Sequence, residues 1–300
     1  MAGYLDQLLA SPKAEFLIGG GDSEGPVWHP DGYLTFVRHQ QSELVKWESN
    51  GTVTVLRNDT GNGNGCTLDL DGLIIMCEGD NRQVTRMARD GSITVIADNF
   101  EGKRLNRPND VICRSDGTLY FTDPHARVPH EERELGFSGV FRISPGGHLY
   151  LATDECEYPN GLAFSPGESL LYVAISRRDE HCLDEVKRGE ICKHRMIRVF
   201  DVAEDGSLSN NRVFAEMISS DPGIPDGLKV DSEGRVYCTG GGGIWVFTPD
   251  GQHLGIIELP EKPRNLAFDG NSPSLLYVAA GKSIYRMRTK VRGLTGPRPS

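Results

Sequence analysis

Long hydrophobic runs are missing from this 300-residue chain. A stretch such as Leu73 to Cys77, five apolar residues, falls far short of the ~20 that span a bilayer, so no membrane-crossing helix is expected. Basic residues are also scarce. With 32 Lys and Arg against 42 Asp and Glu, the net charge is -10, and a nucleic-acid groove or an anionic membrane surface has no clustered cations to meet it. Cysteines number seven, and no two are spaced as CxxC. That odd count excludes a complete disulfide framework and a ribbon-type zinc site, and it leaves most thiols buried and free. Met1 to Ala10 carries Asp6 and no basic segment before an apolar run. It does not read as a secretory signal, and a cytoplasmic location is expected.

What the chain has in excess is glycine and proline, 36 and 17, together 53 of 300 residues, about 18% against an ordinary share of about 12%. Many tight turns are implied, and a helix bundle is disfavoured. Turns such as Asp31-Gly32, Asp71-Gly72, Asp116-Gly117 and Glu233-Gly234 each precede alternating apolar residues, the pattern of a hairpin. A longer unit lies just upstream of these turns: Glu24-Gly-Pro-Val-Trp28, Asn64-Gly-Cys-Thr-Leu68, Asn109-Asp-Val-Ile-Cys113, Asn160-Gly-Leu-Ala-Phe164, Asp226-Gly-Leu-Lys-Val230 and Asn265-Leu-Ala-Phe268. The six anchors are 40, 45, 51, 66 and 39 residues apart. A quasi-period of that size fits a four-stranded blade with loops of varying length, and six blades close a ring.

The fold class expected is therefore all-β, a six-bladed propeller in one domain spanning 1–300, with its core over about 14–287. The last unit is short of strands, so Ala14 to Ile18 is expected to complete it and close the ring from both termini. Residues 1–12 and 288–300 read as peripheral tails. The longest unit carries an insertion over about 176–195, which is expected to cover one end of the ring.

Inner strands of a propeller run the same way, so one repeat position recurs as a ring at one mouth of the central channel. Here that ring is Glu24, Asn64, Asn109, Asn160, Asp226 and Asn265. Converging carboxylate and amide oxygens suit a hard divalent cation, whereas Asn and Asp before Gly also serve as plain turn formers. Periodicity alone leaves the two readings even. Oxygen donors fit calcium, magnesium and manganese, and leave zinc open.

Five ordered motifs, Glu24-Gly-Pro, Arg107-Pro-Asn-Asp110, Tyr120-Phe-Thr-Asp-Pro124, Pro159-Asn-Gly161 and Pro225-Asp-Gly227, make the chain resemble the SMP-30/gluconolactonase/LRE-like family over about residues 15–287. The resemblance implies a metal-dependent hydrolase that opens a sugar lactone with one divalent ion, calcium first among the candidates. It implies Glu24, Asn160 and Asp226 as metal ligands, with Asn109 a fourth ligand or a substrate contact. Arg107 is implied as the residue that holds substrate oxygens, and Asp226 as the general base. Ester hydrolysis needs a polarised carbonyl, an activated water and a stabilised oxyanion, which one open-sided ion and one carboxylate can supply together.

Asp123 and His125 follow in the Phe-Thr-Asp-Pro segment, and a substrate contact or supporting role is open to both; a turn aspartate and a solvated histidine are the plain alternatives. Gly21-Asp-Ser-Glu-Gly25 matches a nucleophile-elbow pattern, but a strand follows where a helix is required, so Ser23 is set aside. His181-Cys182 and Cys192-Lys-His194 match no zinc spacing. The partner expected is a small-molecule lactone, with no nucleic acid, no membrane and no readable oligomeric state. Two rivals stand beside the lactonase: hydrolysis of an organophosphate or aryl ester, or a non-hydrolytic step on a related small molecule, on the same ion, and a non-catalytic ligand-binding propeller.

Overall fold

The computed structural model describes residues 4–11, 13–19, 21–177, 188, 190 and 194–296. Six four-stranded antiparallel sheets stand around a channel. Each blade runs in chain order from its inner to its outer strand, beginning with Ser23–His29, Gly63–Leu68, Val111–Cys113, Pro159–Phe164, Leu228–Val230 and Pro263–Phe268. The sixth blade departs from that order in its outermost strand, Glu15–Gly19, which pairs with Ser283–Arg288. The ring is thus closed by strands from both ends of the chain, as the shortage of strands in the last repeat predicts. Gly32 and Gly117 of the predicted turns have φ of 90° and 87°, a conformation that a side chain resists.

No single core fills the molecule. Its buried apolar residues divide into six seams, each between two consecutive blades: Phe36, Val45 and Tyr277 join blades one and six, whereas Met76 and Val37 join two and one. Burying a large side chain of this kind contributes about 1.5–3 kcal/mol, so the ring is held by its seams and the axis is left free. Both tails are less peripheral than their composition suggests. A short helix, Leu5–Leu8, tucks Leu8 into the seam of blades five and six, and Gly293 lies over Phe268 while the Leu294 N–H donates to the Val230 carbonyl at 3.0 Å. Most of the insertion predicted over 176–195 lies outside the described residues, as do Cys182 and Cys192. The other five cysteines are buried free thiols.

Trp28, Phe164 and Phe268 sit at the far ends of their inner strands around a cavity of about 500 Å³. Among the described residues no helix is long and apolar enough to cross a membrane.

Candidate functional site

The channel mouth opposite that cavity is built by the first residues of the inner strands. Four of these strands carry a register irregularity there, between Glu24 and Val27, Gly63 and Cys66, Pro159 and Leu162, and Pro263 and Asn265. A bulge gives one strand an extra residue and re-aims its side chains, which here releases the ring position from the sheet. Neighbouring blades are stitched together at this level. Gly65 N–H donates to the Asn109 carbonyl at 2.7 Å, Gly161 N–H to Asp226 at 3.1 Å, and Gly227 N–H to Arg264 at 2.7 Å. The glycines are required by proximity: a Cβ on Gly161 would collide with the Asp226 carbonyl, and one on Gly65 with Asp110.

These bonds shift the sixth anchor by one residue. Thr122 Oγ1 donates to the Asn160 carbonyl at 2.8 Å, and Thr239 Oγ1 makes the equivalent bond to Arg264 at 2.9 Å, so Arg264, not Asn265, occupies the ring position. Asn265 falls one step deeper, level with Gly161. Asp110 is deeper by the same step. The two meet: Asn265 Nδ2 donates to Glu24 Oε2 and to Asp110 Oδ2, both at 3.3 Å. A second polar tier therefore lies beneath the predicted one. The matching Leu162-Ala-Phe164 and Leu266-Ala-Phe268 triplets place Asn265 with Gly161 and carry the signal for this shift in the sequence.

Glu24, Asn109 and Asn160 are buried and Asp226 is half-buried. Glu24 Oε2 accepts from its own following amide, Gly25 N–H, at 2.9 Å. Asn160 donates its amide to Ser176 Oγ at 3.0 Å, and that hydroxyl in turn donates to the Pro225 carbonyl at 2.6 Å. The carboxamide is thereby fixed with its carbonyl oxygen uncommitted. No described residue donates a hydrogen bond to the Asp226 carboxylate, and none engages the Asn109 side chain. Burial pushes the Asp226 carboxyl well up, and the Glu24 and Asp110 charges push it further. Burial likewise raises Glu24 and Asp110. Three mutually repelling carboxyls around one axis, one of them without a donor, form an arrangement that a cation relieves.

The residues fit such an ion. Glu24, Asp226, Asn160 and Asn109 offer hard oxygens only. Among the described residues no three His, Cys, Asp or Glu side chains converge as a metal group, so any ion here would need the carboxamides of Asn109 and Asn160 beside the two carboxylates. That donor chemistry favours calcium, magnesium or manganese over zinc.

Arg107 packs flat against Gly79 and pairs with Asp80. Its backbone N–H donates to Asp123 Oδ1 at 2.7 Å, while Asp123 Oδ2 accepts from Asn106 N–H at 2.8 Å and from Asn106 Nδ2 at 3.0 Å. Asp123 is 0% exposed. Its oxygens are turned to the backbone of the Arg107 loop, and burial raises its carboxyl to about 6. His125 Nδ1 lies 2.6 Å from Ser138 Oγ in a short turn, His125–Arg127. Sequence reasoning missed His39, whose ring Nδ1 meets the Gly63 carbonyl at 2.9 Å and which burial and nearby arginines hold below the usual histidine range. Ser23 is buried, and its hydroxyl donates to the Gly21 carbonyl at 3.1 Å.

Residues 23–282 match the model of a family described as SMP-30/Gluconolactonase/LRE-like region. The chain is 31% identical over 298 residues to a gluconolactonase of Zymomonas mobilis, covering 90% of this chain and 79% of that one. To a pentonolactonase of Haloferax volcanii it is 28% identical over 265 residues, 85% and 80% of the two chains. Among solved structures, a gluconolactonase of Xanthomonas campestris superposes with a TM-score of 0.83 at 32% identity, covering 96% and 93%.

Proposed function

The chain belongs to the SMP-30/gluconolactonase/LRE-like family, and from that premise we propose that it is a lactonase that opens the ring of a sugar-acid lactone at the Glu24–Asp226 mouth. The observation that carries the reading is the Asp226 carboxylate, half-buried beside Glu24 and Asp110 and without a hydrogen-bond donor among the described residues. Glu24, Asp226, Asn160 and Asn109 would hold a divalent cation, whose chemistry there would be Lewis acidity toward a lactone carbonyl.

The remaining work belongs to the side chains. Asp226 removes a proton from the attacking water, and its half-exposed position gives that water access. Its raised proton affinity in the absence of charge compensation makes it a better base than an exposed aspartate, an advantage that a neighbouring cation reduces. Asn160, locked by Ser176, and Glu24, locked by Asn265, hold their oxygens without reorganisation. Arg107 orients the hydroxyls or ring oxygen of the substrate, and Asp123 positions Arg107 through its backbone. The neutral His39 ring offers its second nitrogen to a hydroxyl.

The test is a proton-release assay with D-glucono-1,5-lactone before and after chelation. Turnover that disappears on chelation and returns with calcium or manganese is the expected result. Turnover indifferent to chelation removes the ion from the account, and no opening of any aldonolactone removes the lactonase.

A further inference from the structure

One side of the mouth holds more positive charge than the described residues neutralise. Arg107 and Arg177 are tied to the site by their neighbours in the chain, since Arg107 lies two residues before Asn109 and Arg177 follows Ser176, the residue that fixes Asn160. Arg177 stacks on Tyr158, its guanidinium carbon 4.2 Å from the ring centroid, and Tyr158 directly precedes Pro159-Asn160. Arg127 ends the turn that follows Asp123 and Pro124. It stands near enough to Arg107 to disfavour that residue's charge, and Arg107, Arg127 and Arg177 all act on buried Tyr158.

Three guanidiniums thus gather over blades three and four. Arg107 has one anionic partner, Asp80. Among the described residues no carboxylate lies at ion-pair distance from Arg127 or Arg177. Glu157, which precedes Tyr158 in the chain, is occupied by Arg198 at 2.7 Å and His194 at 3.1 Å. The Nε–H groups of Arg107 and Arg177 are buried without an acceptor. In a chain with ten more acidic than basic residues, 42 against 32, a surplus of cations at one spot is not a by-product of composition. Like charges held together are stabilised when an anion enters, and a guanidinium fork matches a carboxylate, phosphate or sulfonate on two oxygens at once.

We propose that this arginine arc is the seat of an anionic substituent, so that the lactone opened here carries a carboxylate, phosphate or sulfonate group remote from its ring carbonyl. The inference rests on the lactonase reading and specifies its substrate class. Charge sets the orientation as well. An anion is repelled by Glu24, Asp110 and Asp226 and drawn to Arg107, Arg127 and Arg177, so the substrate lies with its anionic end over blades three and four and its carbonyl toward Asp226.

The experiment compares kcat/KM for D-glucono-1,5-lactone, its 6-phosphate and D-glucaro-1,4-lactone, at low and high salt, in the metal-loaded protein and in Arg127→Gln, Arg177→Gln and Arg177→Lys. One anionic lactone is expected to exceed the neutral one by at least about tenfold, with the preference shrinking in salt. Each Gln variant is expected to cut the anionic-to-neutral ratio about tenfold, and Arg177→Lys to keep part of it. Whether the phosphate or the carboxylate lactone leads identifies the anion. Calorimetric titration of the metal-free protein with D-gluconate 6-phosphate and with D-gluconate gives an independent reading, with tighter binding of the phosphate expected if that anion leads. A neutral lactone opened as well as both anionic ones, with a ratio unmoved by the variants, overturns the arc while leaving the lactonase standing. Failure to open all three lactones overturns both.

Discussion

The six inner strands end in two very different mouths. At their starts, Glu24, Asn109, Asn160, Asp226 and the deeper Asp110 and Asn265 bring carboxyl and amide groups together, with Asn265 bridging Glu24 and Asp110. At their far ends, Trp28, Phe164, Phe268 and Leu294 line the roomier cavity of about 500 Å³, where Lys229 spends its ammonium on the neighbouring Leu228 carbonyl at 3.0 Å. The same strands and the same repeat produce both ends. What separates them is whether polar groups converge with their hydrogen bonds unspent, and cavity size does not choose the reactive end.

The largest expected break of this contrast is Asp226→Asn. It removes the base and a charged ligand at once, so turnover should fall by at least about 10³-fold. Thermal stability should stay near wild type, because a repelled carboxylate is lost without a donor being stranded. Calorimetric melting and the proton-release assay check both halves; retained turnover removes Asp226 from the mechanism. Next is Asn265→Leu, which leaves Glu24 and Asp110 without their shared donor. Metal affinity should drop about 10–100-fold, as for other groups that support a ligand, and titration calorimetry measures it directly.

The contrast also shows how much could be read from sequence. The ring and its closure were legible because a turn and a strand recur at each anchor, and a strand missing from the sixth repeat must be found elsewhere. Asp110 and Asn265 were not legible as partners, because they replace a glycine that the repeat normally requires, and because Arg264 breaks the Asn/Asp pattern that marks the anchor. The hydrogen bonds of Asp123 were not legible, because its partners, the backbone N–H groups of Asn106 and Arg107, lie 17 and 16 residues upstream and carry no side-chain signal. The arginine arc escapes any periodic reading, since its members come from a loop before one strand, a turn after another and the end of a third. The far cavity is equally hidden, because alternation cannot distinguish a residue that fills a seam from one that rims a hole.

At the apolar end, Trp28→Leu sharpens the comparison from the other side. Trp28 stacks on Tyr277 at 5.4 Å between centroids, so the change should cost about 1–3 kcal/mol of stability. Turnover should stay within about twofold of wild type, since the reacting groups stand at the other mouth. A large loss of activity at unchanged stability would show that the two ends are coupled.

The smallest effect expected is on pH dependence. Burial raises the Glu24, Asp110 and Asp226 carboxyls above the ordinary range, and repulsion from neighbouring carboxylates adds to it at Glu24 and Asp226. The metal-free folded protein therefore binds more protons than the unfolded chain between ordinary carboxylate values and the raised ones. Its stability should rise as pH falls through the raised values and decline as pH rises through them. A saturating divalent cation holds the carboxylates ionised and should flatten that slope. Melting temperatures across mildly acidic to mildly alkaline pH, with and without chelator, measure the difference, and identical slopes would contradict it.

The most direct test is a calorimetric titration of chelator-stripped protein with calcium, run beside Glu24→Gln and Asp226→Asn. One ion per chain is predicted for the wild type, with binding lost or weakened at least about tenfold in each variant. Wild-type protein that takes up no calcium, magnesium or manganese, or variants that bind as tightly as the wild type, would contradict the claim that these two acids share one cation.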